Sequence, residues 1–158
     1  MSEIDVVRLG PDDVSAMRAL LTVLGTAFED LPRYRSQPPG DDYLKKQLAR
    51  PSVVVLCALE DDAVVGGLIA YDLPKFEQAR SEMYLYDIAV ADTHRRRGVA
   101  TALIERLKVI ASDAGAWVIF VQADDDDPPA IALYRGLGTE ERVRHFDVPV
   151  PAETSRDD

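Results

Sequence analysis

The residues best suited to do chemistry together are Arg95-Arg96-Arg97-Gly98-Val99-Ala100, a basic run with two small residues directly ahead of a helical pattern. The first N–H groups of a helix have no partner inside it, and its dipole is positive there, so such a start binds phosphate. Gly98 and Ala100 let the backbone approach a bulky anion. The three arginines add charge and forked donors. The competing reading is a solvated helix start whose arginines pair with surface acids. The run is not a P-loop, because no Lys-Ser/Thr follows its glycine, and it lacks the first glycine of a dinucleotide fingerprint.

Asp87 is the next candidate. An aspartate is disfavoured inside an apolar strand, so it is either a general base or a carboxylate bonded to a neighbouring strand or loop. Glu82, Asp124 and His145 are alternative bases. Tyr134 is a candidate acid through its phenol, against the ordinary reading of a packed tyrosine with a wet hydroxyl. Asp124-Asp125-Asp126-Asp127 would attract a cation at a strand end or simply be solvated. It lacks the glycine and distal glutamate of a calcium loop, so no metal is expected. Glu29 and Asp30 offer a second acidic wall. The lone Cys57 lies in an apolar run and reads as a small buried hydrophobe. His94 reads as a support for the arginine loop.

These residues need elements to hold them. Ile4–Leu9 reads as a strand, and Gly10-Pro11-Asp12 as a turn that starts a helix with Val14, Met17, Leu20, Leu21 and Leu24 on one stripe. Gly25 is expected to end or loosen it, and Arg33–Gly40 to be a loop. A short helix covers Asp41–Ala49. Strands follow at Val53–Leu59, Ala63–Leu73 and Met83–Ala91, with Gly66-Gly67 permitting a bulge or a close backbone approach. Gly98–Ala114 is an amphipathic helix stopped by Gly115. Trp117–Val121 is a strand, Pro128–Leu137 a helix and Arg142–Val148 a last strand. The order β-α-α-β-β-β-α-β-α-β, with hairpins and one crossover, defines a mixed, mostly antiparallel α/β sheet domain over 1–148. Residues 149–158 form a polar tail.

With these elements in place, Arg95-x-x-Gly98-x-Ala100 after the strand end Ile88-Ala89-Val90 resembles the coenzyme A motif of the GNAT superfamily of N-acetyltransferases, Gln/Arg-x-x-Gly-x-Gly/Ala. The resemblance implies the GNAT fold, with acetyl-coenzyme A as co-substrate. It implies that backbone N–H groups from Arg96 through Arg97, Gly98, Val99 and Ala100 to Thr101 hold the pyrophosphate, and that Ile88 and Val90 pair with the pantetheine arm. Ala132-Leu133-Tyr134 resembles the family segment whose phenol lies near the coenzyme A sulfur, which makes Tyr134 the acid. Asp87, beside the expected thioester, becomes the first choice of base. A narrower likeness spans roughly Phe28 to Asp147. The stretches Leu73–Glu82, Tyr86–Val90, Val121–Asp124, Ala132–Tyr134 and His145–Asp147 are similar to aminoglycoside 3-N-acetyltransferases of the gentamicin-modifying type. It implies acetylation of the 3-amino group of deoxystreptamine; by charge and position, Glu29, Asp30, Glu82, Asp124, Asp127 and His145 are then expected to line the acceptor site. A polyamine or peptide amine as acceptor, or a coenzyme A sensor without catalysis, are the competing readings.

The bulk numbers agree. The 158 residues suit one domain. The net charge of −10 argues against nucleic acid or an anionic membrane as partner and suits a cationic small molecule. A single cysteine excludes a disulfide within the chain and suits a reducing compartment, and no leader or membrane-spanning pattern is present, so a cytoplasmic protein is expected. A homodimer is compatible with this reading.

Overall fold

A computed structural model describes residues 2–152 in two compact units, one ending at Gln122 and the other beginning at Ala123. In the first unit five strands form one sheet in the order β1-β2-β3-β4-β5: β1 Asp5–Arg8, β2 Val53–Glu60, β3 Ala63–Pro74, β4 Ser81–Val90 and β5 Ala116–Val121. The first four run antiparallel to their neighbours, and β5 is parallel to β4. That last pairing requires the crossover helix α4, Val99–Asp113, since parallel neighbours cannot be joined by a tight turn. Helices α1 (Val14–Ala27), α2 (Leu31–Ser36) and α3 (Asp41–Leu48) lie between β1 and β2 in the chain.

Both sheet faces are covered, which explains the continuous apolar run of β2. Val55, Cys57 and Ala89 pack with Met17, Leu20 and Leu24 of α1 and Leu44 and Leu48 of α3. Leu56, Leu68, Met83 and Leu85 are also fully enclosed, as are Leu103 and Leu107 of α4. Gly67 shows how closely α1 lies on the sheet: a Cβ there would meet a Leu20 methyl and the Leu56 carbonyl oxygen at 2.5 Å. Cys57 is wholly buried, and burial, then the charge of Asp13, push its thiol up to about 12, so it does no thiolate chemistry.

The second unit contains helix α5, Pro128–Arg135. Asp127 is its N-cap and accepts a hydrogen bond from the Ala130 N–H at 3.2 Å.

Three expectations need correction. Arg33–Gly40 is not all loop: α2 occupies its first part, because Pro32 sits in the opening turn, where a missing N–H costs nothing. Gly25 does not end α1, which runs on to Ala27; its missing side chain instead admits the Tyr34 ring. Arg142–Val148 is not a strand, although its residues alternate. The second unit offers no other strand among the described residues, and an unpaired strand leaves its backbone bonds unmade. Of the expected tail, residues 153–158 lie outside the described residues.

Candidate active site

Two features of β4 shape the site. The first is a bulge. Ile69 pairs with Asp87 and Ala70 with Leu85, so Tyr86 is an extra residue without a partner. Strand side chains alternate between faces, and an inserted residue shifts that alternation. Leu85 therefore points into the core opposite α1, while Asp87 shares the face of Ile69, which packs with the α1 cluster. The second is a splay. The pairing of β4 with β5 runs only from Ser81↔Ala116 to Leu85↔Val121. From Asp87 to Val90 the β4 edge has no strand beside it among the described residues. The Ala91 N–H donates to the Val65 carbonyl at 2.8 Å, toward β3. By alternation, the backbone groups of Val90 and Ile88 face the open edge, whereas those of Ala89 face β3.

At the end of this edge the chain makes a short 3-10 turn, Asp92–His94, and enters α4 at Gly98. Arg96 and Gly98 both have left-handed backbone, with φ of 59° and 78°. No side chain caps α4, and nothing lies within 4 Å of where a Gly98 Cβ would be. The first amides, of Val99, Ala100 and Thr101, are thus left without a side-chain cap. The three arginines are not equivalent. Arg97 donates to Glu60 Oε1 at 2.7 Å, while His94 Nε2 hydrogen-bonds to Glu60 Oε2 at 2.5 Å. These bonds, Arg97 first, hold the Glu60 carboxyl down to about 2. Arg95 pairs with Asp92 at 2.8 Å. Among the described residues Arg96 makes no ion pair, so it is the arginine free to meet an anion. His94 supports the loop as the sequence indicates; Glu60, the other half of this clamp, carries no sequence signal of its own.

The arrangement fits a pyrophosphate followed by an extended arm: uncapped amides and an unpaired arginine at the helix start, then a vacant strand edge. Asp87 lies beyond it. Burial raises its carboxyl above the ordinary range. Around it are tyrosines that sequence reasoning missed. Burial raises the Tyr34 phenol, followed by the charges of Asp87 and Asp30. The same holds for Tyr71 through burial, then Asp87. So Asp30, at the start of α2, and Asp87 share a neighbourhood through Tyr34. Glu29, with φ of 54°, turns the chain into that helix and is exposed. Glu82 is engaged elsewhere, accepting from Trp117 Nε1 at 3.3 Å and lying 3.8 Å from Lys75.

In the second unit, burial and then Asp127 raise the Tyr134 phenol. His145 bonds to Asp147 at 2.8 Å, and both are exposed. The Asp127 carboxylate serves as the helix cap, and the Asp124 carbonyl accepts from the Asp127 N–H. Among the described residues no group of three or more His, Cys, Asp or Glu could hold a metal ion, and no helix is long and apolar enough to cross a membrane.

The splayed β4–β5 edge thus leads directly into the uncapped start of α4. The model of the acetyltransferase (GNAT) family matches residues 20–139, and the chain belongs to that family. Acetyltransferases of this family use acetyl-coenzyme A. An aminoglycoside acetyltransferase from an uncultured soil metagenomic sample is 51% identical, with a TM-score of 0.92 over 94% of this chain and 99% of that one. A second such enzyme from soil, solved with sisomicin, is 28% identical, with a TM-score of 0.86 over 94% of this chain and 97% of that one. An N-alpha-acetyltransferase of Saccharolobus solfataricus is 29% identical over 60% of this chain, and N-acetyltransferase 8B of Rattus norvegicus is 27% identical over 54%. The chain matches only 61% and 38% of the lengths of those two relatives.

Proposed function

We propose that this protein transfers acetyl from acetyl-coenzyme A to an amine of an aminoglycoside, the 3-amino group of the deoxystreptamine ring, and so confers resistance. The observation that carries this reading is the likeness to a soil aminoglycoside acetyltransferase, 51% identical across 94% of the chain. The run Lys75-Phe76-Glu77-Gln78-Ala79-Arg80-Ser81-Glu82 supports the 3-amino position. When bound, acetyl-coenzyme A supplies an acetyl group activated as a thioester. The amides from Arg96 to Thr101, in the turn into α4 and its first turn, and the Arg96 guanidinium would hold the pyrophosphate, and the Ile88 and Val90 backbone would align the pantetheine.

Asp87 takes the proton of the attacking amine at its carboxylate, a role that its raised carboxyl suits. Tyr134 holds a proton at its Oη for the leaving sulfur. The motif resemblance assigns that role, and the raised phenol keeps the proton in place at neutral pH. Glu29, Asp30, Asp124 and Asp127 supply negative charge for the cationic acceptor, Asp127 while also capping α5; Glu82 and His145 would be further acceptor contacts on exchanging their present partners, Trp117 and Lys75 for the first and Asp147 for the second. The lone buried Cys57 suits work in a reducing compartment such as the cytoplasm.

A peptide N-terminal amine is the second reading, favoured by the similarity to the archaeal N-alpha-acetyltransferase. The test is thiol release by the purified protein from acetyl-coenzyme A with gentamicin, sisomicin, spermidine and an N-terminal peptide. Release is expected with the aminoglycosides. Release with the peptide alone supports the second reading, and none above the blank with either aminoglycoside at high enzyme rejects the first.

A further inference from the structure

The sheet face that carries Asp87 also carries an aromatic group which proton transfer does not use. Tyr71 and Tyr86 meet edge to face, with centroids 5.8 Å apart and planes at 78°. Tyr84 and Tyr86 do the same at 5.3 Å and 67°. Tyr84 stacks on Phe120 at 4.5 Å, and its hydroxyl donates to Gln122 Oε1 at 3.0 Å. The bulge explains the grouping. Tyr71 pairs across the strands with Tyr84, and the unpaired Tyr86 lets Asp87 rotate onto their face.

These rings are anchored to one another yet not covered. Tyr86 is 60% exposed and Tyr71 36%. The face of an aromatic ring is negative, and an ammonium group above it is attracted. Charge decides what sits there. Asp87 acts on the Tyr71 and Tyr84 phenols, and Asp30 lies near Tyr34 at the same place. An apolar partner would have to strip water from Asp87 without replacing its hydrogen bonds, which is unfavourable. A cation gains from the carboxylates and the rings together.

We propose that Tyr71, Tyr84 and Tyr86 form a cation-binding shelf beside Asp87 that receives a second, still protonated amino group of the acceptor, so that polycationic amines are selected. This rests on the amine-acetyltransferase reading of the same face and adds the residues that choose the acceptor. The amine to be acetylated must lose its charge at Asp87, whereas its neighbour keeps its charge and uses it for binding.

The test is calorimetric titration of sisomicin into the full chain with coenzyme A present, for the wild type, Tyr86→Phe and Tyr86→Ala. The phenylalanine variant keeps the ring and should bind within about twofold of wild type. The alanine variant should bind about three- to tenfold more weakly, as loss of one cation–ring contact predicts. The deficit should appear in KM for the acceptor rather than in kcat. Retained coenzyme A binding by each variant reports that it has folded. Equal sisomicin affinity in Tyr86→Ala and wild type overturns the shelf, as does an equal loss in Tyr86→Phe or no binding by wild type. Binding that follows the expected series without any acetyl transfer rejects the transferase reading and leaves the shelf. Turnover with an unaffected alanine variant does the reverse.

Discussion

In the proposed reaction Asp87 and Tyr134 carry opposite duties, and each has a distinct kinetic signature. A base must be ionised to act. Burial raises the Asp87 carboxyl above its ordinary value of 3.8, so kcat/KM should fall as pH drops through that raised value and level off above it. Asp87→Asn should remove this acid limb and lower kcat by about a hundredfold or more. A pH–rate profile of the two proteins checks this, and an unchanged limb in the variant would assign the base elsewhere. Tyr134→Phe removes the acid alone. It should lower kcat by about a hundredfold while acetyl-coenzyme A affinity stays within about twofold. A large loss of affinity in a binding titration would mean that the phenol holds the cofactor instead. Asp87 was legible in the sequence because a carboxylate in an apolar strand is anomalous. Its companions were not. Strict alternation puts Tyr84 and Tyr86 on one face of β4 and Asp87 on the other, and only the bulge, invisible to a period-two reading, brings all three together. Tyr34 was hidden for a similar reason: Gly25 reads as a helix stop, yet it is the gap into which the Tyr34 ring fits.

At the scale of elements, the turn into α4 depends on the clamp of Glu60 at the end of β2 with His94 and Arg97. The Glu60 carboxyl lies at about 2, below its ordinary 4.5. A carboxyl lowered on folding contributes stability that is present above its unfolded value and lost as pH falls through the folded one. Thermal unfolding of wild type and Glu60→Gln should therefore differ at neutral pH, and the gap should close between about pH 4.5 and 2. A constant gap would show that the clamp is not ionic. Gly98→Glu places bulk and negative charge at a left-handed position facing the expected pyrophosphate. Coenzyme A binding should be abolished, with little change in overall secondary structure by circular dichroism. Intact binding would relocate the pyrophosphate. The helix start was legible from its arginines and small residues. The division of labour among the arginines was not, because the partner of Arg97 is 37 positions away in the chain. The expected strand Arg142–Val148 has the right alternation, but pairing, not pattern, makes a strand.

For the molecule as a whole, a chain of net charge −10 carries a basic turn that suits an anion and an acidic, aromatic face that suits a cation. The sequence announced the fold class through its order of elements and the cofactor through one motif. The proposed acceptor site draws on side chains gathered from α2, β3 and β4, so the acceptor was legible only through resemblance. The most direct measurement of the central claim is two-dimensional NMR of the product formed from acetyl-coenzyme A and gentamicin. One new acetyl group is predicted on the 3-amino nitrogen of deoxystreptamine, with one thiol released per acetyl transferred. Acetylation only on a different amine would contradict the assigned position, and an unmodified antibiotic after prolonged incubation at high enzyme would contradict the account.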